Sequence, residues 1–413
     1  MPARLPSPRG RSMDRHSRCA CATAIYDAPP TGARQGVHGA AIGRNRRIFV
    51  FSRPPDGRAM RVPPSAYGAM QGHDVDRRRK IILHIGAGKT GSSAIQNFLD
   101  LNVDALRREG IVVPDNDLNL SGRIYGNHVR VFREWNDDPA AGRQALEAAI
   151  AALFEKAGDA STIVISAENL ASYGAGPSLF EGLVKDHDIE AILYIRRQDE
   201  FILSAWQQWN AKVQEDLLAW LIAVVGALGN WQAYLVNWEK VIPRANIRVR
   251  IFDRAQLKDG DVIADFFDLL GLAAPFDSFA YPERQANPSF AEAIMEMVKG
   301  NKRIFRDAHD NRFQEFVHDI TGDRYVKNSK ESMLTSAQRR AIVAKYTSSN
   351  LWVQKVYFAE KKDSLFAPIK DDAYFLPDAR TMIRQQLGFL VAIVLGLYQW
   401  RKNPKKGRGR KRS

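Results

Sequence analysis

Cysteine is almost absent from this chain of 413 residues, which contains only Cys19 and Cys21. Two cysteines this close together cannot build the disulfide framework of a small secreted domain or a cysteine-based zinc site. A secretory signal is not expected either, because the apolar run at 48–51 is too short and lies far from the N-terminus. We therefore expect a cytoplasmic protein.

The part of the chain that is expected to fold has no net positive charge. The formal net charge is +14, but residues 1–80 carry +11 and residues 401–413 carry +8. Residues 81–400 are therefore slightly acidic, whereas a nucleic-acid-binding domain places its cations on the folded surface. Nucleic acid is not expected as a partner.

The chain divides into four segments by composition. Residues 1–79 are rich in Pro, Gly and Arg and show little periodicity, which indicates a disordered extension or a start codon assigned too far upstream. Residues 80–320 alternate between strand and helix patterns, and 321–386 show helical patterns only. Residues 387–413 combine an apolar stretch with a basic tail.

Near-continuous apolar runs that alternate with amphipathic segments predict a parallel sheet covered by helices on both faces. Strands are predicted near residues 80–85, 110–113, 161–165, 189–195 and 247–252. A continuous helix is predicted over 92–107, where apolar residues recur at helical spacing. The fold class is therefore α/β, followed by a mainly helical C-terminal part.

The first strand leads through a Gly-rich loop into a helix. Glycines allow backbone amides to face one centre, and a helix N-terminus adds partial positive charge. Lys89 adds a full charge to this loop. The segment therefore predicts a site for a phosphate-like anion, formed by Gly88, Lys89, Thr90, Gly91, Ser92 and Ser93.

A second cationic position follows a later strand. Arg196 comes directly after the apolar run that ends at Ile195, and Ser204 follows eight residues later on a predicted helix. Arg offers a planar, permanently charged fork that suits phosphate. Because ligands bind at the carboxyl ends of parallel strands, we expect Arg196 and Lys89 to approach the same ligand.

These two elements resemble the donor-binding motifs of sulfotransferases that use 3′-phosphoadenosine 5′-phosphosulfate (PAPS), in particular bacterial carbohydrate sulfotransferases. The Lys-Thr-Gly-Ser-Ser segment is similar to their 5′-phosphosulfate loop, and Arg196 with Ser204 is similar to their 3′-phosphate site. The resemblance extends over about residues 80–320. It implies a P-loop-like three-layer fold, PAPS as sulfuryl donor and a glycan hydroxyl as acceptor, with no metal.

Sulfuryl transfer needs a group that stabilises the leaving phosphate and a base that accepts the proton of the acceptor. Lys89 is the candidate for the first role. Two residues are candidates for the base: Glu168, which follows the strand at 161–165, and His128, which lies in an irregular stretch. The resemblance implies a base at either position, and both alternatives stay open.

Two other functions are compatible with parts of the sequence. Gly88-Lys89-Thr90 also occurs in P-loop kinases and NTPases, although their motif would require Gly where this chain has Leu83. A non-catalytic membrane-associated scaffold is the third alternative. The uncharged stretch at 387–400 is shorter than a bilayer core, which favours a buried terminal helix over a spanning one, but the cations that follow suit a peripheral membrane contact.

Overall fold

The computed structural model describes residues 78–120, 128–172, 174–282, 290–325 and 331–402. Residues 1–77 of the predicted extension and the basic tail beyond Lys402 lie outside the described residues. The described chain from Arg79 onward belongs to one compact unit. The division into segments at 79, 320 and 386 stays a prediction.

Five strands form one parallel sheet in the described part of the chain, in the order β2-β3-β1-β4-β5. The predicted α/β class with a parallel sheet is confirmed. Strand β1 lies in the middle, where Ile81 pairs with Ile163 of β3 and Ile189 of β4. The strands are β1 (Lys80–Gly86), β2 (Ile111–Val112), β3 (Thr162–Ser166), β4 (Asp188–Ile195) and β5 (Ile247–Ile251).

Helices follow every strand. Those before β5 are α1 (Ser92–Leu101), α2 (Val103–Arg108), α3 (Val129–Asp137), α4 (Pro139–Ala157), α5 (Leu183–Asp186), α6 (Gln198–Gln208), α7 (Leu217–Val224) and α8 (Trp231–Trp238). Those after β5 are α9 (Val262–Leu270), α10 (Glu292–Val298), α11 (Arg312–Thr321), α12 (Ser336–Ala344), α13 (Thr347–Tyr357) and α14 (Ala379–Lys402).

Side chains that alternate along β1 point into two different cores. Ile81 and Leu83 join the larger core, which also includes buried residues of α4, α6 and α8. Ile82 joins the other core, which is covered by α1, α2 and α9. Because a strand's side chains alternate between the faces of its sheet, helices cover both faces and the fold has three layers.

The predicted continuous helix over 92–107 is instead two helices. The break falls at Asn102, whose side-chain amide donates to the carbonyl oxygens of Phe98 and Ala280, both at 2.8 Å. The amide of Ala280 donates back to Asn102 Oδ1 at 2.7 Å. These bonds to a segment far along the chain stabilise a turn that the helical periodicity could not predict.

The C-terminal helices pack on the sheet domain through α6 and α8. Helix α12 contacts α6, and α13 contacts α8. A buried ion pair fixes the first of these contacts, because Arg339 donates to Asp199 at 3.0 Å and both side chains are almost completely buried. The predicted mainly helical C-terminal part is confirmed.

The expectation of a buried terminal helix over 387–400 is wrong. Helix α14 is 24 residues long, and Phe389 is its one buried residue. By length and composition it could cross a membrane. The helix is longer than the uncharged run at 387–400. Arg384 and the polar residues near it precede that run and belong to the same helix.

Candidate active site

The loop between β1 and α1 is shaped by glycines at both of its ends. Gly86 has φ of +117°, and a Cβ there would lie 2.2 Å from the carbonyl oxygen of Glu168. Gly91 has φ of +86°, and a Cβ there would lie 2.9 Å from Phe252 and Val262. A side chain at either position would clash, so both glycines are required for the path of the loop.

Lys89 occupies the centre of this loop with φ of +65°, a left-handed conformation that is unusual for a residue with a side chain. Its ammonium donates to Gln208 Oε1 at 3.2 Å and lies 6.0 Å from the ring centre of Trp209. Burial lowers the pKa of Lys89 to about 8; the Arg196 charge acts in the same direction, and the Glu168 carboxylate opposes it.

Arg196 begins the turn after β4 and contacts the loop directly. Its Nη1 donates to the carbonyl oxygen of Lys89 at 3.1 Å, and its Nε donates to Glu200 at 3.0 Å. The guanidinium carbon lies 5.5 Å from the centre of the Phe252 ring. Arg197 instead bonds to Asp199 and Glu200. Of the two adjacent arginines, Arg196 is therefore the one fixed beside Lys89.

Ser204 lies half-buried on α6, between two residues that hold the cations. Glu200, Ser204 and Gln208 are spaced by four residues, which places them on one face of the helix. Glu200 accepts a bond from Arg196, and Gln208 accepts one from Lys89. The helix face that carries Ser204 is thus the face turned toward both cations.

The hydroxyl groups of the loop have different surroundings. Thr90 is buried, and its hydroxyl donates to the carbonyl oxygen of Ala87 at 2.5 Å, so it closes the loop internally. Ser92 is the first residue of α1 and donates to Glu168 Oε2. Ser93 is exposed at the start of the same helix. Ser93 is therefore the hydroxyl of the three that faces solvent.

Glu168 follows β3 and lies against the loop. A Cβ at Gly88 would be 3.8 Å from the carboxyl carbon of Glu168 and 3.5 Å from Trp209. The half-buried carboxylate is held by the hydroxyl of Ser92. The ends of β1, β3 and β4 thus bring Lys89, Glu168 and Arg196 to one edge of the sheet.

His128 is buried away from this group of charges. Its Nε2 is 2.9 Å from the carbonyl oxygen of Pro114, and its Nδ1 is 3.1 Å from the amide of Ser166. A neutral ring with the proton on Nε2 satisfies both contacts, because Nδ1 then accepts from Ser166. Burial lowers the pKa of His128, although its backbone hydrogen bonds oppose the shift. Both ring nitrogens of His128 are thus occupied by backbone groups, and of the two candidate residues Glu168 is the one that lies beside the loop.

His84, on the central strand, is also completely buried. Its Nδ1 is 2.8 Å from the hydroxyl of Ser166, and its ring packs edge-on against Tyr194 and Phe266. Burial lowers its pKa to about 3, so the ring is neutral at physiological pH. His84 belongs to the core below the loop.

A cavity of about 200 Å³ opens beside Glu168. Gly88 and Glu168 form the wall next to the loop, and α6 supplies Phe201 and Ala205. Other parts of the wall contain rings and cations, namely Trp209, Tyr234, Arg133 and His309. The volume is below that of a site for a whole drug-sized ligand, about 300–1,000 Å³. It suits one end of a larger molecule.

Gln208, Glu200 and Phe252 contact the predicted site residues but were not predicted to take part. The sequence signal for Glu200 and Gln208 was their four-residue spacing from Ser204, which places all three on one helix face. Phe252 follows β5, and the parallel pattern placed the end of that strand at the same sheet edge. Across the described ranges, no group of three or more His, Cys, Asp or Glu side chains is arranged to hold a metal ion.

Comparison with known proteins gives limited similarities. No protein-family model matches the chain. An uncharacterized protein of Archaeoglobus fulgidus is 24% identical over 189 residues, which are 44% of this chain and 50% of that protein. The match therefore spans half the length of that relative. The crystal structure of a sulfotransferase from Alicyclobacillus acidocaldarius is 15% identical with a TM-score of 0.30, over 50% of this chain and 86% of that one. This is a weak similarity.

Proposed function

We propose that this protein transfers a sulfuryl group from PAPS to a hydroxyl group of an acceptor, which we expect to be a glycan. The observation that carries the proposal is the meeting of two cations and one carboxylate at the carboxyl edge of the sheet. Arg196 donates to the backbone of Lys89, and Glu168 lies against the same loop. Two neighbouring cationic positions suit a donor with two anionic groups better than a donor with one.

The residues present fit the donor. The start of α1 and Lys89 would hold the 5′-phosphosulfate, and Arg196 with Ser204 would hold the 3′-phosphate. Lys89 is half-buried and kept in place by Gln208, so its charge is preorganised for the phosphate oxygen that leaves. Preorganised charge in a site that excludes water is a large contribution to catalysis.

Glu168 would accept the proton of the attacking hydroxyl. The acceptor oxygen forms a bond to sulfur while the bond between sulfur and the bridging phosphate oxygen breaks. The proton passes to Glu168, and the leaving adenosine 3′,5′-bisphosphate keeps the electron pair of the broken bond. The hydrogen bond from Ser92 would orient the carboxylate for this step.

The cavity beside Glu168 supports a carbohydrate acceptor. Trp209 and Tyr234 both line it, and aromatic faces pack well against the apolar face of a sugar ring. Trp206, three residues before Trp209, is instead completely buried in the core. The acceptor end that enters the cavity would place a hydroxyl next to the candidate base.

Calorimetric titration with adenosine 3′,5′-bisphosphate, AMP and ATP tests the donor. We expect the bisphosphate to bind about 10–100-fold more tightly than AMP, because a charge-assisted contact to phosphate contributes about 1.5–3 kcal/mol. Equal affinities for the bisphosphate and AMP would contradict PAPS as donor. Tighter binding of ATP together with magnesium would favour the kinase alternative instead.

The substitution Lys89→Ala tests the catalytic role. It should lower kcat by about 10²–10³-fold, as the loss of other preorganised electrostatic groups does. Lys258→Ala is the matched control, since Lys258 is an exposed lysine that pairs with Asp268 on the surface. Most of the activity remaining in Lys89→Ala would overturn the assignment.

A further inference from the structure

The last described helix, α14, is fixed to the protein along one face. The hydroxyl of Tyr325 donates to the carbonyl oxygen of Gly388 at 2.8 Å, and Gln386 donates to that of Ala293 at 3.1 Å. The ring of Phe389 lies 5.2 Å from the ring of Tyr325, edge to face. Helices α10 and α11 are the neighbours on this side.

This attachment continues toward the end of α14. A Cβ at Gly396 would lie 2.1 Å from the side chain of Ile320, so the two helices approach closely there. Gln386 and Gly396 are ten residues apart, which corresponds to about 15 Å of helix. The fixed face therefore extends over a large part of the helix.

The opposite face of α14 is apolar and exposed. Its large residues recur at the three- and four-residue spacing of one helical stripe, and each is at least 42% exposed. They are Ile383, Leu387, Leu390, Val391, Val394, Leu395, Leu397 and Tyr398. A contiguous apolar surface of this length is rare on a protein that has no partner there, and it marks an interaction site.

Positive charge follows the apolar face without any acidic residue. Helix α14 contains no Asp or Glu and ends in Arg401 and Lys402, and the sequence beyond it adds six Lys or Arg and no acid. Trp400 and Tyr398 are exposed just before these cations. Aromatic rings next to cations are typical of the boundary between lipid and water.

We propose that α14 lies in the plane of an anionic membrane surface, with its exposed apolar face in the boundary between headgroups and acyl chains. The charge pattern selects this occupant, because acidic lipids match a helix that has cations and no acids. A second copy of the chain would present the same cations and no acid on its own α14. The proposal goes beyond the proposed sulfuryl transfer and does not depend on it.

The contacts of the fixed face favour an α14 that lies on the membrane over one that crosses it. At about 1.5 Å per residue, a helix of 24 residues is long enough to span the hydrocarbon core. Spanning would place lipid around the whole helix and would break its bonds with Tyr325 and Ala293. Lying in the plane keeps those bonds and covers the opposite face.

Flotation of the full chain with vesicles tests the proposal. Phosphatidylcholine vesicles are compared with vesicles that also contain phosphatidylserine, at low and high salt. We expect binding to the anionic vesicles only, weakened by salt. Deletion of 403–413 removes six cations and should weaken binding by more than tenfold, since each cation near the surface accounts for about fivefold.

Substitutions on α14 have a matched control on another helix. Leu387→Asp and Val394→Asp change residues that are 58% and 64% exposed, and Leu351→Asp changes a residue of α13 that is 61% exposed. The α14 variants should bind vesicles at least tenfold more weakly, because they lose the burial of a large apolar side chain. Leu351→Asp should bind normally, and all three should melt at the temperature of the wild type.

Three results would overturn the proposal. Equal, salt-resistant binding to neutral vesicles would indicate a spanning helix. Dimerisation that is lost in Val394→Asp, without vesicle binding, would show that a second copy covers the face. The same loss of binding in Leu351→Asp would show that the effect is not specific to α14.

Discussion

Arg196 donates a hydrogen bond of 3.1 Å to the carbonyl oxygen of Lys89, which joins the two cationic positions predicted from distant parts of the sequence. Each residue also has a partner on one face of α6, Glu200 for Arg196 and Gln208 for Lys89. A donor bound here would meet charges whose separation is fixed by the fold rather than by the ligand.

Arg196→Ala should remove the preference for a 3′-phosphate. The variant should bind adenosine 3′,5′-bisphosphate and AMP with similar affinity, because the charged contact to the second phosphate is lost. Ser204→Ala removes a neutral donor and should reduce the preference less. Calorimetry on both variants measures this, with Arg244→Ala as control, since Arg244 pairs with Glu239 on the surface. A preference that survives Arg196→Ala would contradict the assignment.

Activity should fall as the pH rises through about 8, the lowered pKa of Lys89. Lys89 is protonated below this pH and neutral above it, so donor capture weakens on the alkaline side. The decline should appear in kcat/KM for the donor, which reports the free enzyme. In kcat it should move to higher pH, because the bound anion favours the charged lysine.

Two controls separate this titration from unfolding. Between about pH 8 and 10.5, the unfolded lysine binds more protons than the folded one, so this group stabilises the fold as the pH rises. A melting temperature that stays constant or increases over this range would therefore exclude unfolding as the cause. Lys89→Arg keeps its charge and should lose the alkaline decline; a decline that persists in this variant would disprove the role of Lys89.

Glu168→Gln and His128→Ala should differ in which property they change. Glu168→Gln should lower kcat by about 10²–10⁴-fold through the loss of a general base, with unchanged bisphosphate affinity and melting temperature. His128→Ala should chiefly destabilise the fold, since it leaves buried backbone groups of Pro114 and Ser166 without partners, at about 1–3 kcal/mol each. A stable but inactive His128→Ala enzyme would reverse the two assignments.

Gly91→Ala should destabilise the protein more than Gly271→Ala. Both glycines have positive φ, but a Cβ at Gly91 would contact Phe252 and Val262 at 2.9 Å, whereas at Gly271 there is open space. We expect a loss of about 1 kcal/mol at Gly271 and about 2–4 kcal/mol at Gly91. Denaturant unfolding of the two variants gives the comparison, and equal losses would show that the loop can move away from Phe252.

The parallel sheet was predictable because its signal lies in short local segments of the sequence. Strands β1, β3 and β4 are dominated by buried apolar residues, and the loop that holds Lys89 follows β1 without interruption. The break at Asn102 was not predictable, because the bonds that cause it come from Ala280. A pattern read within one window carries no information about such a distant partner.

The candidate site also has features that the sequence predicts and features that depend on distant contacts. Lys89, Arg196 and Glu168 each follow a strand, and the topology of a parallel sheet is enough to bring them to one edge. Glu168 and His128 could not be ranked from the sequence, because the difference between them is burial and the hydrogen bonds of His128 with Pro114 and Ser166. The exposure of the apolar face of α14 could not be predicted either, because it depends on which side of the helix α10 and α11 cover.

The central place of β1 in the sheet affects how the protein is completed during synthesis. Leu83 pairs with Ile165 on one side and with Ala191 on the other, about 100 residues later in the chain. A ribosome that adds about 5–20 residues per second therefore leaves one edge of β1 unpaired for several seconds or more. During this interval the nascent chain offers an apolar strand edge to other chains, so yield in a cell should depend on chaperones and on the rate of translation.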